Sequence, residues 1–405
     1  MRTQPGCEMA RINGMKSYLQ SFETSWLERA GMPPQPFAIS MPEPLPRELP
    51  EINPDHLMRM TDANGILQQA TLSVPNYSEG YRMDDNARAF VLAVSLEEME
   101  EKPARARTLA ATYAKFLLRA FNPKTKRFHN LMGVDGHWLD QQGPEDSHGR
   151  ALWALGTGVG RSPHHSFQTL CGQVFAQALP MVADFTSPRA WAFALLGIHE
   201  YLRILSGDRA VAQMRDTLTS RLLELFIKSA YSDWHWFENV LTHDSAKLAH
   251  ALIVSGNVPG HKTALDCGLH TLEWLVEVQT AENGHFRPVG TKGFYRRGGT
   301  RANYDQKPTE AQATVSACIE AYRVTSKPVW HERAQRAFDW FLGANDLGLE
   351  LYTAATGGCC DALRADRIDF NQGAESTLAF LLSLVEMQSS QSAAMIFNNS
   401  TVLSL

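Results

Sequence analysis

The sequence contains no apolar run of about 18 or more residues, so no membrane-spanning helix is expected. It has no excess of basic residues: 38 Lys and Arg stand against 43 Asp and Glu, a formal charge of −5. Non-specific nucleic-acid binding needs a basic face and is not expected. Cysteine is scarce, at six in 405 residues, and no CxxC pair occurs. That argues against a zinc ribbon or a thioredoxin-like motif. The cysteines read as reduced thiols, with only Cys359 and Cys360 adjacent. The first residues, MRTQPGCEMARINGMKS, hold no apolar central stretch. An ordinary secretory signal is therefore not expected, and a cytoplasmic setting is.

Several catalytic signatures are also missing. There is no P-loop and no GxGxxG after a strand; GTGVG at 156–160 reads as a helix stop. No GxSxG elbow and no HExxH occurs, and His243 and His250 lack HxxxH spacing. A Rossmann-type transferase is poorly supported, and neither a metal nor another cofactor is expected.

What is present is ordinary globular material, 44% hydrophobic and 20% charged. Length alone suggests two or three domains. Residues 32–50 are proline-rich and read as an extended linker, and 388–405 as a polar, flexible tail. Between them the apolar spacing is helical, and alternating strand patterns are scarce.

Six segments open with a polar cluster and run into a small, apolar helix. They start at Asp84, Glu145, Ser187, Glu238, Lys307 and Asn371. Their Ala, Gly and Ser content suits buried, close-packed inner helices. Amphipathic helices at 104–119, 166–181, 208–228, 262–279 and 329–343 alternate with them. A sixth outer helix is expected at 14–30, which ends on a glycine stop. Six inner and six outer helices predict an all-α (α/α)6 toroid over residues 51–387, with 1–50 packed on it. An open solenoid of helical hairpins is the alternative. Short β-hairpins are expected in the loops at 127–139 and 285–296, where D-G and N-G turns occur nearby.

The helix starts carry the candidate chemistry. Asp84 and Asp85 open the first, Glu145 and Asp146 the second; Glu238 and Asp244 flank the fourth; Asp305 and Glu310 belong to the fifth and Glu375 to the sixth. Any one of them could be a helix cap. Capping needs one residue, however, and several starts supply two. Paired acids can split their pKa values into a proton donor and a proton acceptor, as glycoside hydrolysis needs. Asp84 with Arg88 and Asp146 with Arg150 stand at i, i+4. With Arg189, these arginines either buttress acids or bind substrate. His148, His235 and His243 are candidate sugar-binding or proton-transfer groups. Trp191, Trp236 and Tyr304 are candidate sugar-stacking rings, and in SDWHWFEN one of the alternating faces is expected to reach the cavity. Gln306, Asn371 and Gln372 complete the polar set.

TDANGILQQA (61–70), DDNARA (84–89), EDSHGRALWALG (145–156), DQKPTEAQA (305–313) and NQGAESTLAFL (371–381) resemble the six-hairpin (α/α)6 glycosidase-like superfamily. They look most like a bacterial group labelled "glycosyltransferase", a label that stems from neighbouring or fused transferase domains. The resemblance covers about residues 60–387. It implies a carbohydrate substrate and an association with glycosyltransferases. By analogy with inverting endoglucanases of this fold, it implies Asp84 and Asp85 as base and Glu375 as acid, with Glu145 or Glu310 as alternative acids. A glycoside hydrolase is therefore the leading expectation. A sugar epimerase using histidine bases, or a non-catalytic glycan-binding partner, is the alternative.

Overall fold

The structure, a computed structural model, describes residues 48–99 and 103–402. The expected outer helix at 14–30 and nearly all of the 32–50 linker lie outside the described residues. Residues Leu49–Leu405 form one compact unit.

A short helix, α1 (Asp55–Arg59), precedes two strands, β1 (Leu67–Thr71) and β2 (Val74–Arg82). Inner and outer helices then alternate. The inner α2 (Met83–Glu98) is followed by the outer α3 (Pro103–Ala120), the inner α4 (Glu145–Arg161) by the outer α5 (His165–Ala178). Next come α6 (Pro188–Ile204) with α7 (Arg209–Ser229), and α8 (Ala246–Gly256) with α9 (Lys262–Val278). The series ends with α10 (Pro308–Thr325), α11 (Pro328–Asp339) and a last inner helix, α12 (Ala374–Val402).

The two helix types follow from their side chains. Every residue of α2 from Asp85 to Glu97 is buried, as an interior helix requires. Outer α3 buries only a stripe, including Ala106, Leu109, Ala110, Tyr113, Phe116, Leu117 and Ala120. Small residues set how closely the inner helices approach. A Cβ built on Gly156 of α4 would lie 2.1 Å from the Gly197 carbonyl oxygen of α6, so these backbones touch only because both positions are glycine. Each inner helix packs on the next, and α12 packs on both α10 and α2. That last contact closes the ring, which an open solenoid would lack. The fold is an (α/α)6 toroid.

Short strands sit in the loops. β3 (Leu131–Met132) joins β1 and β2 in a three-stranded sheet, with Tyr81 opposite both Leu67 and Met132. The chain turns back at 133–137, where Gly133 N–H donates to the His137 carbonyl, and this hairpin falls in the expected 127–139 loop. In the second loop Thr280 bridges to Phe286, and Tyr295–Arg296 pairs with Val240–Leu241. Strand β2, the longest, had no apolar alternation to announce it; most of its residues from Val74 to Gly80 are exposed or half-buried. It feeds directly into α2, and the 362–363 and 368–369 pair precedes α12, so the strands aim the inner-helix N-termini.

Candidate active site

Side chains at the starts of α2, α4, α8, α10 and α12 meet one another: Arg88 pairs with Glu375, Arg150 with Asp84 and Asp244, and Asp244 N–H with Glu310. Between the starts of α2, α10 and α12 is a cavity of about 200 Å³, below the roughly 300–1,000 Å³ of most small-molecule clefts and closer to the size of one subsite. Strand β1 gives it Gln68 and Gln69. The start of α2 gives Arg82, Asp84, Asp85 and Arg88. Lys307 precedes α10, Asp361 lies in the loop before α12, and Gly373, Glu375 and Ser376 belong to the α12 start.

Arg88 organises this cavity. It is buried, with one terminal nitrogen 3.3 Å from Asp85 Oδ1 and the other 3.2 Å from Glu375 Oε1. The sequence pairing of Asp84 with Arg88 is not the one formed. Arg88 pairs one turn down with Asp85, while Asp84 stands 3.5 Å from Arg150 of α4. The two carboxyls that share Arg88 differ in setting. Asp85 is 3% exposed, whereas the Glu375 side chain is 52% exposed. Burial pushes the Asp85 carboxyl up to about 7; Arg88 opposes the shift, and Glu375 and Asp84 add to it.

Arg150 leads to a second, buried network. It pairs with Asp244 as well as Asp84, and not with Asp146 as the i, i+4 spacing suggested. Burial alone would raise Asp244, but Arg150 and Arg88 hold it far below the usual carboxylate range. Asp244 has a left-handed backbone, φ 50°, and its N–H donates to Glu310 at 2.5 Å. Glu310 also accepts from Ser245 N–H at 3.4 Å. Burial, then the charge of Asp244, pushes Glu310 up to about 7. Glu310 therefore holds the chain entering α8 and does not line the cavity.

The acids of α4 likewise hold backbone. Glu145 Oε2 accepts from Thr186 N–H at 2.8 Å and Ser187 N–H at 2.7 Å. Asp146 accepts from Ser187 Oγ and faces His243 Nε2 at 3.3 Å. Burial acts to raise Asp146, and its bonds to His243 and Ser187 outweigh that and lower it. Arg189 donates to the His243 carbonyl at 2.6 Å, Glu238 at 2.8 Å and Thr242 Oγ1 at 2.5 Å. His243 itself is about half exposed.

Other candidates lie away from the cavity. His148 is buried between Phe128 and Phe185, its Nε2 3.1 Å from the Ala178 carbonyl, and burial drives its pKa down to about 3. Trp191 donates to the Phe185 carbonyl at 3.0 Å. Trp234 and Trp236 are both buried against Trp274 of α9, and His235 stacks on His270. The segment turns rather than running as a strand, so the alternation of faces did not apply. Gln306 bonds Trp340 Nε1, Asp346 and the Asn303 carbonyl. Asp305 faces Arg364 at 3.5 Å, and neighbouring Tyr304 is half-buried outside the cavity lining. Asn371 accepts from Leu72 N–H at 2.9 Å, and Gln372 bonds Thr353 and Thr356.

Seven cavity residues escaped the sequence reading: Gln68, Gln69, Arg82, Lys307, Asp361, Gly373 and Ser376. Asp361 Oδ1 accepts from Gly373 N–H at 2.9 Å and Ser376 Oγ at 2.7 Å, fixing the start of α12. Arg82 and Lys307 did carry a signal. Both are cations at helix N-cap positions, where acids and small polar residues are preferred. Among the described residues no group of three or more His, Cys, Asp or Glu is placed to hold a metal ion. Nor is any described helix long and apolar enough to cross a membrane.

No protein-family profile and no curated protein sequence matches the chain. Solved structures do match. Cellobiose 2-epimerase from Spirochaeta thermophila superposes with a TM-score of 0.62 at 13% identity, over 85% of this chain and 94% of that one. A D-mannose isomerase gives 0.65 at 10% identity, over 83% and 94%. A cellulase of C. cellulolyticium in complex with cellobiose gives 0.53 at 10% identity, over 80% and 87%. At such identities the likeness is one of fold alone, the (α/α)6 toroid.

Proposed function

We propose that this chain is a carbohydrate-active enzyme, and that it hydrolyses a glycosidic bond at the cavity between α2, α10 and α12. One observation carries the reading: a single buried guanidinium, Arg88, holds two carboxyls of unequal exposure at 3.3 and 3.2 Å beside a void. Unequal environments are how a carboxyl pair divides into acid and base.

Asp85 keeps its proton up to about pH 7 because it is buried. It therefore serves as the general acid that protonates the leaving oxygen. Glu375, half exposed on the opposite nitrogen of Arg88, activates the attacking water. These roles reverse the order that the endoglucanase analogy implied. The carboxyl separation sets the stereochemical outcome, about 6.5–9.5 Å for inversion and about 5–5.5 Å for retention. Asp84, held by Arg150, is placed as a hydrogen-bond acceptor for a sugar hydroxyl.

The test is a digest of an oligosaccharide panel, read by mass spectrometry, with the anomer of the first product read by NMR. Asp85→Asn should lose hydrolysis of ordinary glycosides but keep much of it on substrates whose leaving group needs no proton. Glu375→Gln should lose both and regain turnover with added azide. Full activity of both variants on every accepted glycoside would remove the assignment.

A second reading is a sugar epimerase, and half-exposed His243, 3.3 Å from Asp146, favours it. His148 and His235 are packed away, so a histidine pair is not assembled there. Solvent deuterium at C2 of a free sugar would decide for this reading.

A further inference from the structure

The cavity holds three cations, and they are not equivalent. Arg88 is committed to Asp85 and Glu375. Arg82 makes no ion pair and no side-chain hydrogen bond among the described residues, and its Nε is buried without a partner. Lys307 has no carboxylate within ion-pair distance there; its ammonium donates to the Asp361 main-chain carbonyl at 3.3 Å.

Their positions make this more informative. Arg82 is the N-cap of α2 and Lys307 the N-cap of α10; both backbones are extended, and neither side chain caps its helix. A cation at a helix N-terminus opposes the helix dipole and forgoes a capping bond. Two such departures beside one small cavity are what a binding site demands and local stability does not.

The neighbouring acids form no ion pair with these cations, although Arg82 acts on Asp85 and Lys307 on Asp361 through charge at longer range. Asp84 is held by Arg150, and Asp85 and Glu375 share Arg88. Asp361 spends Oδ1 on Gly373 N–H and Ser376 Oγ, and burial pushes its pKa up. We infer that Arg82 and Lys307 form an anion subsite, and that the substrate is a sugar bearing a carboxylate or a phosphate. The inference rests on the same cavity as the hydrolase reading and names the substrate class. Charge-assisted bonds to such a group are stronger than those to a hydroxyl.

Calorimetry with matched probes tests it: glucose, glucuronic acid, glucose 6-phosphate and inorganic phosphate. The wild-type chain should bind at least one anionic sugar roughly tenfold more tightly than glucose, and that margin should shrink as salt rises. The tighter of the two anionic sugars identifies carboxylate or phosphate. Arg82→Gln and Lys307→Gln should each cut the ratio of anionic to neutral affinity several-fold. The charge-keeping Arg82→Lys and Lys307→Arg should restore part of it, which a misfolded variant would not.

Equal binding of glucose and both anionic sugars would overturn the inference. So would an anion preference that survives the double Gln variant, or no binding of any anion by the wild type. Phosphate binding that the double variant abolishes, in a protein that cleaves no glycoside, would sink the hydrolase reading and leave the subsite standing. Cleavage of neutral oligosaccharides with no anion preference would do the reverse.

Discussion

On the α2–α10–α12 side of the ring, Asp85 and Glu375 border a void and share one arginine. On the α4–α6–α8 side, acids from the same kind of helix start face the chain itself. Glu145 holds Thr186 and Ser187, Glu310 reaches across to Asp244 and Ser245, and Arg189 ties down residues 238–243. One sequence device thus does two things. Where the next inner helix begins within reach, an acid satisfies its unpaired N–H groups. Where the ring closes on the last helix, Asp361 does the same for the start of α12, but Asp85 and Glu375 pair with Arg88 at the edge of the cavity.

The largest test of that contrast is activity. Asp85→Asn and Glu375→Gln should each lower kcat/KM on the best oligosaccharide by about 10²–10⁴-fold, the usual contribution of a positioned acid or base. Glu145→Gln should lower it by less than about threefold, since Glu145 holds the Thr186 and Ser187 main chain and the Thr186 hydroxyl and does not line the cavity. A Glu145→Gln loss as large as that of Asp85→Asn would erase the distinction.

The next effect is on stability, and it runs opposite to activity. Asp85 has a folded pKa raised from 3.8 to about 7. The folded state then favours the protonated form, so this contribution is complete below about pH 4 and is lost as pH climbs through 7. Asn cannot ionise. Asp85→Asn should therefore gain stability over the wild type between pH 5 and pH 8, on the order of 2 kcal/mol. Chemical denaturation at both pH values measures it, and a variant that falls further behind at pH 8 would contradict the buried-acid assignment.

The contrast also marks what the sequence could reveal. The alternation of Ala/Gly-rich and amphipathic helices was legible because packing density and exposure are written in composition; Gly156 against Gly197 is the clearest instance. The acid clusters were legible as clusters. Their partners were not, because i, i+3 and i, i+4 are both neighbours on a helix and because Arg150 finds Asp84 and Asp244 across 66 and 94 residues. His148 sits two residues from Asp146, yet that short step turns it to a phenylalanine-lined pocket. Arg82 and Lys307 could have been found as cations standing where caps belong.

Glu310 and Glu145 grade the latch side. Glu310→Ala leaves two buried N–H groups bare beside a left-handed Asp244, at a cost of about 1–3 kcal/mol. It should also lower kcat, because Asp244 positions Arg150 and Arg150 holds Asp84. Glu310→Gln keeps one acceptor and should recover much of the stability. Glu145→Ala removes an outside cap from α6 and should cost about 1 kcal/mol in thermal or urea unfolding. Equal losses at 310 and 145 would mean that burial does not separate these two latches.

The smallest expected effect is the most discriminating. His243 is half exposed, stands 3.3 Å from Asp146 and belongs to the latch side by its backbone, which Arg189 holds. If the carboxyl pair does the chemistry, His243→Gln should change hydrolysis by no more than about threefold, within the range of a surface substitution. If His243 is itself the base of an epimerase, the same change should remove deuterium exchange at C2 by 10²-fold or more. Measuring both rates on one variant places the chemistry on one side of the ring, since a group cannot be a peripheral latch residue and the proton acceptor at once.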